Sequence, residues 1–442
     1  MSKSLFSEFE PITAKAWKQK IQADLKGADY NDTLIWQTND DIQVKPFYHQ
    51  DTLDKVLNIQ PQQWSIGQVI FAQQAEAANK NAIQAIKKGA ETLQFIIPNK
   101  DVNVSSLIKD IDLNTTAIQF KLQFLDFDYI SAIPRQINLQ VDPIHHLIKT
   151  GNWFINGKQD LKTINKIVET TNTLTIDATT YQNAGANNVQ QLAYALSHLN
   201  EYLNEIDTNN LKTVVFNVSV GTNYFFEISK LRALRALFNT ISNAYNINAT
   251  CKINAIPTKR NKTLYDYNTN MLRTTTECMS AILGGANTVF NLPYDAIYHK
   301  ENQFGQRIAR NQLLVLKNES YFNLVNNPAE GSYYIESITQ QLAEKALTLF
   351  KDIEANGTFL SQLKEGTIQK KIKESADKEQ QQFNDQELIL LGTNKHPNAN
   401  DKMKDNLELY PFVKSNPVKT LIAPIVEKRL AEKLEQERLK TE

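Results

Sequence analysis

Residues able to do chemistry sit at a few points of this 442-residue chain, most of them at the ends of short apolar runs. Asp142, Asp177 with Thr179 and Tyr181, Gly221 with Asn223, and Asn291 hold such positions, and Thr258, Lys259, Arg260 and Lys262 follow another run. Carboxylates there could act as general acid or base, and the basic residues could hold a phosphate or carboxylate. Each group also has a plainer use. Asp142 precedes Pro143 at the head of a helix-like stretch, so capping outweighs catalysis. His145 and His146 are adjacent, and side chains one residue apart on a helix or strand cannot face the same metal. The basic residues could equally be solvated or paired with acids. GNWFINGKQ at 151 has five residues between its glycines, and Gln159 stands where a phosphate loop needs Ser or Thr, so a turn is expected. No Gly-x-Gly occurs, which excludes a dinucleotide fingerprint, and no H-E-x-x-H, Ser-His-Asp spacing or paired-carboxylate motif emerges.

Composition narrows the function classes. The 48 basic and 48 acidic side chains cancel, which removes the positive footprint of a nucleic-acid binder. Hydrophobic residues at 41% and charged residues at 22% suit a soluble globular domain. No apolar run reaches the roughly 18 residues a membrane span needs, and the start MSKSLFSEFEPIT lacks a secretory pattern. The expectation is a cytoplasmic protein with no membrane or nucleic-acid partner. Cys251 and Cys278 are too few and too far apart for a zinc cluster or a disulfide framework and are expected in the core.

The elements that must position these residues begin with an arm over residues 1–60. Its segment FEPITAKAWKQKIQADLKGADY reads as a helix capped by Thr13 and ended by Gly27, and LIWQTNDDIQVKPFY suggests strand. From residue 68 the pattern becomes strand then helix. QVIFAQ, TLQFII, AIQFKL, INLQVDP, LTIDA, VVFNVSV, KINAI and TVFNL give eight strand-like runs, most followed by a helical stretch. The clearest helix carries a stripe from Val189 through Leu192, Ala193, Leu196, Leu199, Leu203 and Ile206. Eight alternating units imply an α/β fold, a (β/α)8 TIM-type barrel over 61–398, with a helical tail over 399–442 ending in the charged helix RLAEKLEQERLK. In such a barrel the site lies at the C-terminal ends of the strands, where the residues named above fall.

Ordered motifs then carry a resemblance. QADLKGADY at 22, DIQVKPFY at 41, TTYQNAGANNVQQLAYAL at 179, FNVSVGTNYFFEISKLRALR at 216, NKTLYDYNTNMLRTT at 261, RTTTECMSAILGGANTVFNLPYD at 273, RIARNQ at 307 and NPAEGSYYIESITQQLAEKA at 327 together resemble the methylmalonyl-CoA mutase family, in its small (β) subunit form. The likeness implies a substrate barrel from a family whose catalytic members use adenosylcobalamin. Two departures bear on activity. The family's catalytic subunits carry H-x-Q-T-S-G-W where this chain reads TKRNKTLYD from 258, with neither His nor Gln. They carry R-P-W-T-I-R-Q-Y-A-G-F where QPQQWSIGQVIFAQQ from 60 keeps Trp64 and Ile66 and has Gly67 and Val69 in place of Arg and Tyr. The family's cobalamin motif is Asp-x-His-x-x-Gly, and none of the six histidines has that context. The likeness is expected to stop near 398, leaving too short a tail for a cobalamin module.

The resemblance therefore implies a non-catalytic subunit of short form, lacking a cobalamin-binding domain, with no catalytic or cofactor-binding residue and no metal of its own. Lys259, Arg260, Lys262, Tyr265 and Arg273 are the candidates for a vestigial pocket. The implied partner is a large (α) catalytic subunit carrying adenosylcobalamin, joined in a heterodimer that the arm embraces and that interconverts methylmalonyl-CoA and succinyl-CoA in propionate metabolism. Two alternatives stay open. One is an active acyl-CoA mutase barrel borrowing a cobalamin domain from another chain; the other is a CoA-binding sensor using Lys259, Arg260 and Arg273. With catalysis removed, the centre of the barrel is expected to be filled by bulky side chains drawn from 20 Phe and 16 Tyr.

Overall fold

The computed structural model describes residues 5–53, 57, 59, 63–414 and 418–442, so residues 1–4, 54–56, 58 and 60 of the expected arm and 60–62 of the segment from 60 lie outside it. Eight parallel strands form one sheet: β1 (Ser65–Phe71), β2 (Thr92–Ile97), β3 (Ala117–Leu122), β4 (Asn138–Gln140), β5 (Thr173–Asp177), β6 (Thr213–Val220), β7 (Thr250–Pro257) and β8 (Thr288–Phe290). The hydrogen-bonded order is β4-β3-β2-β1-β8-β7-β6-β5, a (β/α)8 barrel with one seam, between β4 and β5. All eight expected strands are present, and helices run between them and outside the sheet.

The seam has a local cause. β4 is three residues long and runs at once into Asp142 and Pro143, which opens the helix Pro143–Thr150 and has no N–H to extend a ladder. The Asp142 carboxylate bridges part of the gap, its Oδ2 accepting the Asp177 backbone N–H at 2.7 Å. Its Oδ1 caps the helix through His145 N at 2.9 Å, the use expected of it.

Strand alternation decides what fills the barrel. Phe95, Phe120 and Phe216 point outward into the apolar layer under the helices, together with Leu93, Ile118 and Ile253. The opposite face turns Gln94, Gln119, Gln140, Asn217 and Asn254 inward. These carboxamides bond across the axis. Gln119 Oε1 accepts from Gln94 Nε2 at 3.0 Å, Gln140 Nε2 at 2.8 Å and Asn254 Nδ2 at 3.1 Å, while Asn217 Nδ2 donates to Gln140 Oε1 at 3.1 Å. The expected aromatic filling is thus corrected: the central layer is mainly amide. An inward amide can bond to three or four partners on different strands, whereas the phenylalanines are held by the larger apolar surface outside. Phe290 is the aromatic exception within the barrel, its ring lying against Gly67, where an added Cβ would collide with it.

The arm is a helix, Ala14–Asp24, with Thr13 capping Ala16 N at 3.2 Å, followed by left-handed Lys26 and Gly27 and a two-stranded hairpin, Trp36–Gln37 with Gln43–Val44. The hairpin is pinned to the barrel. Asp40 Oδ1 accepts Asn188 N at 2.7 Å, Asn187 Nδ2 donates to the Asn39 carbonyl at 3.1 Å, and Ile42 is fully buried. The arm helix is not pinned in this way: only Ala14 of it is buried, and Phe6, Phe9, Ile12 and Trp17 are 72%, 74%, 59% and 47% exposed.

After β8 and its helix Gln303–Asn318, the helix Tyr333–Ala355 packs against Tyr224–Ala244 and Asn188–Leu203. The tail then returns across the strand ends. Leu421 and Ile422 N–H groups bond the Gly151 carbonyl, Ile425 N bonds Ile148 O at 2.8 Å, Lys428 N bonds Asn183 O at 3.1 Å and Leu430 N bonds Arg260 O at 2.9 Å. Its last helix, Glu432–Thr441, had the composition of a surface element, yet Glu435 is fully buried and accepts Leu264 N at 2.8 Å. The tail is a strap over the C-terminal face of the barrel.

Candidate functional site

At the ends of β4 and β5 the acids named from the sequence form one buried network. Asp142 Oδ1 accepts Tyr202 OH at 2.6 Å and His198 Nε2 at 3.0 Å, and Tyr181 OH meets His198 Nδ1 at 3.1 Å. Asp177 pairs with Lys121 across the seam and takes Thr179 Oγ1 at 2.5 Å, while its carbonyl meets His145 Nδ1 at 2.9 Å. Burial raises the pKa of both acids, but His198 beside Asp142 and His145 with Lys121 beside Asp177 outweigh it and hold each below the usual carboxylate range. Burial pushes the Tyr181 and Tyr202 hydroxyls well up and the His145 imidazole down. These acids are ionised and already bonded to neighbours. Neither His198 nor Lys121 was singled out from sequence, because their partners are 56 residues away in the chain in each case.

The five vestigial-pocket candidates do not converge. Lys259 is exposed. Arg260 pairs with Glu379 and donates Nη1 to the Lys428 carbonyl at 2.8 Å. Lys262 is buried against Glu277 at 2.8 Å, where burial lowers the pKa of the lysine and raises that of the glutamate. Tyr265 donates to Glu442 at 2.5 Å, and Arg273 donates to Thr263, Asn270 and the Leu391 carbonyl at 2.9, 2.8 and 2.6 Å. Of the other positions, Gly221 N donates to Glu227 at 2.8 Å, Asn291 Nδ2 to the Ala309 carbonyl at 3.0 Å, and Asn223 opens the helix Tyr224–Ala244 without a side-chain cap.

A cleft of about 520 Å³ lies where the hairpin, the loops after β5, β6 and β7, and the helix Thr367–Asn384 meet. Trp36, Gln182, Glu227, Arg260 and Gln382 line it. Two of its charged walls are paired internally, Glu227 with Lys230 at 2.5 Å and Arg260 with Glu379, and Asp40 is hydrogen-bonded to Asn188. The cleft has no local sequence signal, since its walls are drawn from positions up to 394 residues apart.

Histidines and cysteines are committed elsewhere. His146 stacks on Phe154 at 3.8 Å, His299 faces Asp295 at 3.3 Å and His49 pairs with Asp51. His396 is exposed on a left-handed turn. Cys251 and Cys278 are buried, and burial pushes the Cys251 thiol up to about 11. Among the described residues no group of three His, Cys, Asp or Glu could hold a metal, and no helix is long and apolar enough to cross a membrane. GNWFINGKQ is a bend over residues 151–156, with Gly151 left-handed, and Asn156 then caps the helix Gly157–Thr171, whose first three residues end the motif.

Comparison with known proteins gives the context. The family model described as methylmalonyl-CoA mutase matches residues 133–439, running past the point near 398 where the likeness was expected to stop. The methylmalonyl-CoA mutase small subunit of Porphyromonas gingivalis is 32% identical over 92% of this chain and 73% of its own length. The small subunit of Propionibacterium freudenreichii subsp. shermanii is 26% identical over 80% of this chain and 64% of its own, and the methylmalonyl-CoA mutase of Cereibacter sphaeroides 26% over 89% and 66%. The chain thus spans about two thirds to three quarters of the length of these relatives.

Proposed function

The chain belongs to the methylmalonyl-CoA mutase family, and on that premise we propose that it is the non-catalytic small subunit of a heterodimeric, adenosylcobalamin-dependent mutase whose large subunit interconverts methylmalonyl-CoA and succinyl-CoA. The observation that carries the reading is the carboxamide layer. Gln119 on β3 bonds Asn254 on β7, the strand opposite, and Gln140 on β4 bonds Asn217 on β6 across the seam, so amide side chains meet in the barrel interior a substrate would have to occupy. Phe290 adds to it by filling the space beside Gly67, the position where the family's catalytic pattern has Arg.

The cofactor does not fit this chain's strand-end face. The strap crosses that face, and five of the six histidines are bonded, ion-paired or stacked within the protein, while His396 has no acid two residues before it to orient it. Adenosylcobalamin is accordingly assigned to the partner. The exposed apolar residues of the arm support its role as the segment that reaches that partner. The test is a mutase assay on the isolated chain with adenosylcobalamin and methylmalonyl-CoA. No turnover is expected, and turnover at a rate typical of an enzyme would overturn the non-catalytic reading.

A further inference from the structure

The loops after β4, β5 and β7 converge on a carboxylate that none of them supplies, that of Glu427 in the strap. Its Oε1 accepts Thr180 Oγ1 at 3.2 Å and Asn183 Nδ2 at 3.3 Å. The Asn183 amide has one satisfactory orientation, because its Oδ1 already accepts Thr258 Oγ1 at 2.7 Å and Lys259 N at 3.0 Å, which turns Nδ2 toward Glu427. Lys149 and Lys259 are exposed and enter no ion pair within 4 Å among the described residues, yet both act on this carboxylate. Burial raises the Glu427 pKa, but Lys149, Lys259, the Asn183 donor and nearby His145 outweigh it and hold the group below the usual range. The strap backbone fixes the residue on both sides, through Ile425 N to Ile148 O and Lys428 N to Asn183 O.

We propose that the strand-end loops form a binding pocket for a small carboxylate, and that Glu427 of the chain's own strap fills it. The contacts are those of a ligand site: two neutral donors, one with its orientation set by second partners, and two lysines with no short-range acid of their own. The strap itself is held by five backbone hydrogen bonds, from Leu421, Ile422, Ile425, Lys428 and Leu430, so the pocket and its occupant are separable. This inference concerns the isolated chain and does not depend on the subunit assignment.

The experiment uses the full chain with Glu427→Ala and measures binding of succinate, acetate and sulfate by calorimetry. Removing the internal competitor is expected to tighten carboxylate binding by about 10- to 100-fold over wild type, the factor of one charge-assisted hydrogen bond, and adding Asn183→Leu is expected to abolish the gain. A folded Glu427→Ala chain that binds carboxylates no better than wild type overturns the proposal, as does equal binding of sulfate. If that variant fails to fold, hydrogen exchange of residues 424–430 in Glu427→Gln decides instead. Succinate is expected to accelerate exchange there by competing with the weakened occupant, and unchanged exchange overturns the proposal.

Discussion

The barrel centre and the arm handle their side chains in opposite ways. In the centre every strand-borne amide of the cross-axis layer finds another amide, and the buried lysine behind β7 finds Glu277. On the arm, Phe6, Phe9, Ile12 and Trp17 are left largely in water although the hairpin beside them is pinned down. The first region is complete within one chain, and the second gains from burial on another molecule. On the proposed reading, a barrel relieved of chemistry spends its interior on cohesion, while the arm keeps its apolar surface for a partner.

The contrast can be broken most severely at the buried ion pair. Lys262→Ala leaves Glu277 without its cation in a fully buried site, and the urea midpoint is expected to fall by the equivalent of about 3–5 kcal/mol. A loss below about 1 kcal/mol would mean that the interior is not closed by its own charges. On the arm, Phe6→Ser with Phe9→Ser and Trp17→Ser is expected to weaken the heterodimer by about 100-fold or more in calorimetry. The same variant should leave the isolated chain within about 0.5 kcal/mol of wild type. A reversed result, stability lost and affinity kept, would exchange the roles of the two regions.

Gln119→Ala sharpens the account of the centre, because it strips Gln94, Gln140 and Asn254 of a shared acceptor; about 1–3 kcal/mol is expected in chemical denaturation. The smallest effect is one of pH. Burial pushes the His146 imidazole, stacked on Phe154, down to about 4, whereas the unfolded group titrates near 6.5. Between those values the unfolded chain binds the extra proton, so stability falls as pH drops through that window. Denaturation midpoints across it are expected to vary less steeply in His146→Gln.

Much of the scaffold was legible from periodicity. The eight runs became eight strands, the stripe from Val189 became the helix Asn188–Leu203, which stops short of Ile206, and Thr13 caps the arm helix as read. Alternation also put Gln94 and Gln119 opposite Phe95 and Phe120. It does not say which face turns to the axis, since both the barrel centre and the layer under the helices are dry, and the expected aromatic filling rested on the loss of catalysis rather than on the strand pattern. The candidate site was less legible. Lys259, Arg260, Lys262, Tyr265 and Arg273 lie near one another in sequence, but the partners of the last four, Glu379, Glu277, Glu442 and Leu391, come from two different helices, the tail and the loop before it, up to 177 residues away. The strap is invisible to periodicity because residues 418–430 form no regular helix or strand and are held by scattered backbone bonds to the segments after β4, β5 and β7.

The most direct measurement is to titrate this chain into a large subunit that carries the adenosylcobalamin motifs and to follow turnover of methylmalonyl-CoA. The account predicts a complex that saturates at one small chain per large subunit, with no turnover from this chain alone. Turnover by this chain without the large subunit, or titration that yields no complex, would contradict it.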